Sequence, residues 1–198
     1  MKKKIPIGIS ARHVHLSQLH QDILFGKDYC LSFFKQLSQP NQFACVEKVK
    51  IITLGGKELE ARVLGPLRNE TQVEVSKGDV LTYKFESPLH QVPIRSSGDT
   101  ENSGVCTLVG PKGSVVLSTG VIIADRHIHM NENDAQYFGV KNGDKVYIKL
   151  EGPKKALLGD VLIRVSHKFV LDCHLDTDDS NANLVSTGDT CTLIKRKL

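Results

Sequence analysis

The sequence predicts a mainly β protein: two small β-barrel domains related by an internal pseudo-repeat, with short helices only. Three observations carry that expectation. Ser10-Ala11-Arg12-His13-Val14-His15-Leu16-Ser17 returns 114 residues later as Ala124-Asp125-Arg126-His127-Ile128-His129-Met130-Asn131. Short alternating or β-branched runs occur at residues 46–54, 72–76, 115–123, 145–150, 161–165 and 191–194. Gly55-Gly56, Gly78-Asp79, Gly98-Asp99, Gly143-Asp144 and Gly188-Asp189 separate them as turns. Long helical periodicity is missing, which disfavours a parallel α/β fold.

In chain order, Lys2, Lys3 and Lys4 open the sequence, and the apolar run at residues 5–9 is too short and interrupted for a signal peptide. Ser17 is placed to cap a helix reaching toward Phe25-Gly26. Residues 31–37 allow at most one short helix. The stretch at residues 87–103, rich in proline, serine and glycine, separates the halves and sets expected domains at 1–95 and 96–198, with strands free to be exchanged between them. After the second histidine motif, Asn131 and Asp134 read as a cap and first-turn acid of a helix running to about Phe138 and stopping at Gly139.

Composition narrows the function. With 40% hydrophobic and 24% charged residues in 198, the chain has enough apolar material to fold. Its net charge is +4, but three of those charges are the adjacent lysines, so a nucleic-acid partner is not expected. No run has the length of a membrane span. The five cysteines form no C-x-x-C pair and read as reduced, mostly buried thiols, which places the protein in the cytoplasm.

The chemistry concentrates in the repeat. Residues two apart on a strand share a face, so His13 and His15 present two imidazoles around Val14, as His127 and His129 do around Ile128. A single H-x-H is ordinarily a hydrogen-bonded or surface pair; two in one repeated context point to a metal, and imidazole suits zinc. On residues 170–178, Asp172, His174 and Asp176 share a face opposite Leu171, Cys173 and Leu175, consistent with a ligand and an orienting carboxylate. His20, His90 and His167 have no comparable context. Glu74, flanked by Gln72 and Ser76 on one strand face, is a candidate ligand or base. Arg68 offers a planar fork for phosphate, and Arg95 with Ser96 and Ser97 a second anion-binding patch.

These motifs together resemble the PduL-type phosphotransacylases, or phosphate propanoyltransferases. The resemblance runs through residues 7–17, 37–44, 62–68, 71–76, 93–99, 120–124, 126–130 and 174–178, nearly the whole chain. It implies two β-barrel domains with a dinuclear zinc site between them, held by His13, His15, Glu74, His127, His129 and His174. It also implies phosphate at Arg68, coenzyme A along the interdomain cleft, and catalytic roles for Arg68 and Glu74. Phosphate contacts are extended to Arg95 and Ser96. The implied reaction interconverts short-chain acyl-CoA, propanoyl or acetyl, and phosphate with acyl phosphate and CoA; direct attack of zinc-bound phosphate on the thioester is the expected route, and a cysteinyl acyl-enzyme through Cys173 the competing one. The alternatives are a dinuclear zinc hydrolase and a non-catalytic zinc-binding or shell-associated protein. Bacterial microcompartment members of the family usually carry an N-terminal extension, whereas here the first motif begins by Ile5. Asn41 and the segment Asp179-Ser180-Asn181-Ala182 depart from the family pattern. Self-association of the small halves is a further expectation.

Overall fold

The computed structural model describes residues 3–87 and 91–195; Lys2, His90 and residues 88–89 of the expected linker lie outside them. In order the chain forms β1 (Ile5–Ser10), β2 (His13–Ser17), α1 (Gln18–Phe25), β3 (Phe33–Gln36), β4 (Phe43–Ile52) and β5 (Glu58–Arg68). Next come β6 (Gln72–Val75), α2 (Lys77–Tyr83), β7 (Ile94–Arg95), β8 (Gly104–Val109), β9 (Ser114–Ala124) and β10 (His127–Met130). The remainder is α3 (Glu132–Phe138), β11 (Lys145–Leu150), β12 (Ala156–Val165), β13 (Asp172–Asp176), α4 (Thr177–Asn183) and β14 (Thr190–Ile194). Residues 33–36, within the segment expected to allow only a short helix, instead form an edge strand, where β-favouring Phe33 and Phe34 pair against β4. Among the described residues no helix is long and apolar enough to cross a membrane.

Contacts divide the chain into two units. One gathers the residues up to Ser10, Ser38–Pro40 and those from Asp125 on; the other holds Ala11–Leu37 and Asn41–Ala124. The first unit is a closed barrel in the order β1-β13-β10-β12-β11-β14. Its interior is filled by Ile5, Ile7, Ile128, Ile148, Ile163 and their neighbours, all essentially inaccessible to water. Each such side chain contributes about 1.5–3 kcal/mol by burial.

The second unit corrects the expectation of two barrels. It is an eight-stranded sheet running β3-β4-β5-β2-β6-β9-β7, with β8 pairing to β4 and β9 off that path. The cause lies in two long strands that change partners along their length. β4 pairs with β3 near Phe43 and with β8 from Lys50 to Ile52. β9 pairs with β8 along its first part, then with β6 from Val121 and with β7 at Ile123–Ala124. With three neighbours on each of two strands, the sheet branches and keeps β3 and β7 as edges. Val14, Val63, Val73, Leu108 and Val121 fill the core beneath it.

The four helices among the described residues share one design. Each follows directly on a short strand, and the last strand residue or the next supplies the cap. Ser17 accepts from the His20 amide, Ser76 from Asp79, Asn131 from Asp134 and Asp176 from Asp179. Each such cap contributes about 1 kcal/mol. In α3 the expected stop is found: Gly139 takes φ of 61°, a conformation glycine adopts without strain, and its amide closes the last turn. The strands that feed the two histidine motifs are exchanged. β1 leads to His13 but belongs to the barrel, parallel to β13; β9 leads to His127 but belongs to the branched sheet, parallel to β6.

Candidate functional site

Strand pairing builds the same arrangement twice. β2 runs antiparallel to β6, setting His13 opposite Glu74 and His15 opposite Gln72. β10 runs antiparallel to β13, setting His127 opposite His174 and His129 opposite Asp172. Directly opposed residues on one face of an antiparallel pair have their Cβ atoms about 5 Å apart, so two histidines on one strand and one ligand on the other converge. Glu74 is therefore the counterpart of His174, and Gln72 of Asp172. In each of the two groups, His13–His15–Glu74 and His127–His129–His174, the donor atoms lie within 4.8 Å of one another.

In the first group all three side chains are buried. His13 Nδ1 lies 2.8 Å from the Ala11 carbonyl, which can only accept, so Nδ1 carries the proton and Nε2 faces Glu74 Oε2 at 3.5 Å. Glu74 Oε1 accepts from the Gln72 amide and from Ser97 Oγ. Burial would raise the Glu74 carboxyl, but His13, then His15 and the Ser97 hydrogen bond, outweigh it and hold the group ionised far below its ordinary value. Burial likewise opposes a charge on His13, yet the Glu74 carboxylate wins and raises it. His15 behaves oppositely. Burial first, then His13 and Arg68, hold it well below its usual value and therefore neutral.

The second group is all imidazole. His127 Nδ1 lies 2.8 Å from the Asp125 carbonyl, as His13 does from Ala11. His174 Nε2 is 2.9 Å from Asp172 Oδ2, which orients the ring and leaves Nδ1 for a further partner. Phe169 covers His129, with ring centroids 4.2 Å apart. Burial, aided by His127, His174 and Arg164, pushes the His129 imidazole down to about 2.

These residues fit a metal. An ion pair alone would account for His13 and Glu74, but the Nδ1 atoms of His15 and His129 are buried without a hydrogen bond. Such an orphaned atom costs about 1–3 kcal/mol unless something binds it. Zinc bonds of about 2.0–2.1 Å in tetrahedral geometry set neighbouring donors about 3.4 Å apart, close to the 3.5 Å between His13 and Glu74. Three protein ligands of nitrogen and oxygen type, with a fourth position open, is the pattern of catalytic rather than structural zinc.

Arg68, at the end of β5, reaches the first group: its Nη1 donates to Ser97 Oγ at 2.9 Å. Ser97 thus joins Arg68 to Glu74, and Gln72 Nε2 also reaches it at 3.1 Å. Arg68, Asn69, Glu70, Gln72, Gly98 and Thr100 line a cleft of about 590 Å³ beside these residues. Arg95 ends β7, and Ser96 opens the turn that follows it. The Arg95 Nε is buried 3.8 Å from Asp99, and the Ser96 carbonyl accepts from the Asp99 amide at 2.9 Å. Neither has a hydrogen bond to the histidine group among the described residues. Ser97 was named in the sequence only as part of an anion patch. In the run Ser96-Ser97-Gly98 no strand period says which hydroxyl turns inward.

The other sequence-named groups are structural. His20 bonds Thr71 Oγ1 at 2.8 Å, and His167 is exposed. Cys45, Cys106, Cys173 and Cys191 are buried and Cys30 is exposed; none is in a disulfide. Cys173 lies in the barrel core, where hydrogen bonding to Cys191 and burial hold its thiol well above the ordinary value.

Comparison with known proteins identifies the family. The family model described as phosphate propanoyltransferase matches residues 6–186. The phosphate propanoyltransferase of Priestia megaterium is 50% identical over 186 residues, covering 94% of this chain and 83% of that protein. Those of Thermotoga maritima and Lachnoclostridium phytofermentans are 44% and 42% identical, covering 96% of this chain in each case and 89% and 87% of the respective relatives.

Proposed function

Because this chain belongs to the phosphate propanoyltransferase family, we propose that it moves a short acyl group between coenzyme A and inorganic phosphate, with one zinc ion on each histidine group. The observation that carries the zinc assignment is the pair of buried, orphaned imidazole nitrogens, His15 Nδ1 and His129 Nδ1, at equivalent points of two duplicated strand pairs. His13, His15 and Glu74 hold one ion, and His127, His129 and His174 the other. Zinc supplies Lewis-acid polarisation and neutralises phosphate charge.

The chain's own residues do the positioning. Arg68 receives phosphate through its planar fork, and Ser97 fixes that fork from the side of Glu74. Glu74 stays ionised as a ligand because both of its oxygens are engaged, so its role is to hold the ion rather than to move protons. A phosphate oxygen bonds to the thioester carbonyl carbon, the C–S bond breaks, and its electron pair leaves with the CoA sulfur. Holding two anionic reactants in register supplies much of the rate advantage. A covalent route through Cys173 is disfavoured, since a core thiol held far from ionisation is no nucleophile.

The test is CoA thiol release from acetyl-CoA and propanoyl-CoA by zinc-loaded protein, with and without phosphate, following acyl phosphate in the same tubes. Phosphate-dependent release matched by acyl phosphate supports the transferase. Release without phosphate makes the protein a hydrolase, and no release at all by folded, loaded protein overturns the substrate class.

A further inference from the structure

We infer that Arg12 and Arg126 are positioning residues, each holding the ligands of one metal group in register through an ion pair to the helix that follows the third ligand. The inference rests on the zinc reading above. Each arginine immediately precedes a histidine motif. Arg12 Nη2 is 2.7 Å from Asp79 Oδ1, and its Nε is 3.2 Å from Asp79 Oδ2, a two-point contact. Arg126 Nε is 3.1 Å from Asp179 Oδ2. Asp79 and Asp179 are equivalent residues. Each gives its amide to the cap of α2 or α4, through Ser76 and Asp176 respectively, three residues earlier.

The connections close a ring in both places. His13 Nδ1 is held by the carbonyl of Ala11, the residue peptide-bonded to Arg12; Arg12 grips Asp79; Asp79 bonds the Ser76 cap; and Ser76 lies two residues beyond Glu74, which faces His13. On the other side His127 is held by the carbonyl of Asp125, next to Arg126. Arg126 grips Asp179, Asp179 bonds the Asp176 cap, and Asp176 lies two residues beyond His174. The His127 and His174 ring centroids are 5.0 Å apart. Each arginine therefore fixes both the carbonyl that orients the first histidine and the strand end that carries the third ligand.

Exposure argues against an ordinary surface pair, which would contribute little. The Asp79 side chain is only 8% exposed and that of Asp179 18%, against 38% and 32% for the arginines, so each guanidinium, joined by the Ser76 amide at Asp79, partners a carboxylate largely withdrawn from water. The repetition is independent support. Two arginines 114 residues apart in sequence pair through Nε with the aspartate at the same helix position beside a three-residue ligand set.

The experiment measures zinc retention in full-length chains against a graded chelator. Outer-layer partners of metal ligands typically change affinity 10–100-fold when removed. Arg12→Gln is expected to weaken one of two ions by 10-fold or more and leave the other unchanged, and Arg126→Gln to do the reverse. His129→Ala and His15→Ala backgrounds, which disable one group each, assign the ion: Arg12→Gln weakens zinc in the His129→Ala chain and has no effect in the His15→Ala chain. Arg12→Lys keeps the charge but loses the fork and falls between. Lys48→Gln, which breaks an exposed pair with Glu60, serves as the control and changes neither ion. Equal weakening of both ions by Arg12→Gln, or no weakening, overturns the assignment alone. Wild-type protein that retains no zinc overturns the assignment together with the reading it rests on.

Discussion

Replacing Gly8 by alanine disturbs the second histidine group through a residue that is not one of its three members. Gly8 lies on β1 opposite His174, and a Cβ there would stand 2.9 Å from Asp172 Oδ2 and 3.5 Å from His174 Cδ2. The second distance is ordinary contact; the first is not. Carbon and oxygen need about 3.3 Å or more, so the carboxylate has to retreat by roughly 0.4–0.5 Å. Asp172 is a short side chain that can swing, so the backbone stays and the cost falls on its 2.9 Å hydrogen bond to His174 Nε2. Stretched to about 3.4 Å, that contact lies beyond normal hydrogen-bond length. Losing the orienting carboxylate of a zinc histidine costs about 10–100-fold in affinity, or about 1.4–2.7 kcal/mol. Titrating the zinc-loaded Gly8→Ala chain with chelator should release one ion at correspondingly lower chelator concentration and leave the second where it is in wild type. Asp172→Asn should do the same without any added atom. If Gly8→Ala holds both ions within twofold of wild type while Asp172→Asn does not, the steric argument is wrong. If neither variant changes zinc, His174 is not a ligand oriented by Asp172.

Arg68→Lys should raise the KM for phosphate by about tenfold or more at unchanged zinc content, because a single ammonium cannot reproduce the fork; an unaltered KM would remove Arg68 from phosphate binding. Native protein at pH 8 should expose one fast-reacting thiol, Cys30, since burial pushes Cys45 up to about 11 and Cys106 to about 12; five thiols should react after denaturation, and two or more fast thiols in the native state would contradict the burial. Cys173→Ala should keep near-normal turnover, and loss of turnover with retained folding would revive a covalent route. Glu47 accepts from the Ser32 amide and Tyr29 Oη, and although burial opposes its charge these bonds hold its carboxyl below the ordinary value. Its contribution is therefore complete above the unfolded carboxyl value of about 4.3 and fades as pH falls through the lower folded value. Glu47→Gln should destabilise the protein by about 1 kcal/mol at pH 7, and a denaturation difference that persists unchanged at pH 2.5 would refute the assignment.

The parts of this molecule legible in its sequence are those governed by local rules. α3 runs from its Asn131 cap to Gly139 because a capping side chain and a left-handed glycine act within one turn of the helix. β11 spans the expected Lys145–Leu150, bounded by the Gly143-Asp144 turn. The metal-ligand candidates were legible because a period of two puts His13 with His15 and His127 with His129 on one face. Gly78-Asp79, expected as a turn, lies in the first turn of α2, which the Ser76 and Asp79 capping box starts. Nonlocal pairing was not legible. Nothing in β4 or β9 announces that each will hold three partners, and the branched sheet replaces the expected second barrel for that reason. Nor does the sequence choose between Ser96 and Ser97, because the turn that carries them has no strand period to orient its side chains. The link from Arg12 to Asp79 spans 67 positions and becomes visible only when β2 lies against β6.

The exchange of feeder strands has a consequence for synthesis. β1 leaves the ribosome long before its partners β13 and β14. Ile7 waits for Cys173, 166 residues on, and until then its alternating apolar side chains have no barrel to enter. The branched sheet needs nothing beyond Ala124, so it can form while the barrel is still incomplete. Lys3 and Lys4 stand directly before β1, where adjacent charges discourage an unpaired strand from joining a neighbour on the polysome. Closure between such distant strands is slow because chain entropy is lost before their contacts form, and Ile5 and Ile7 enter the barrel core only at that closure.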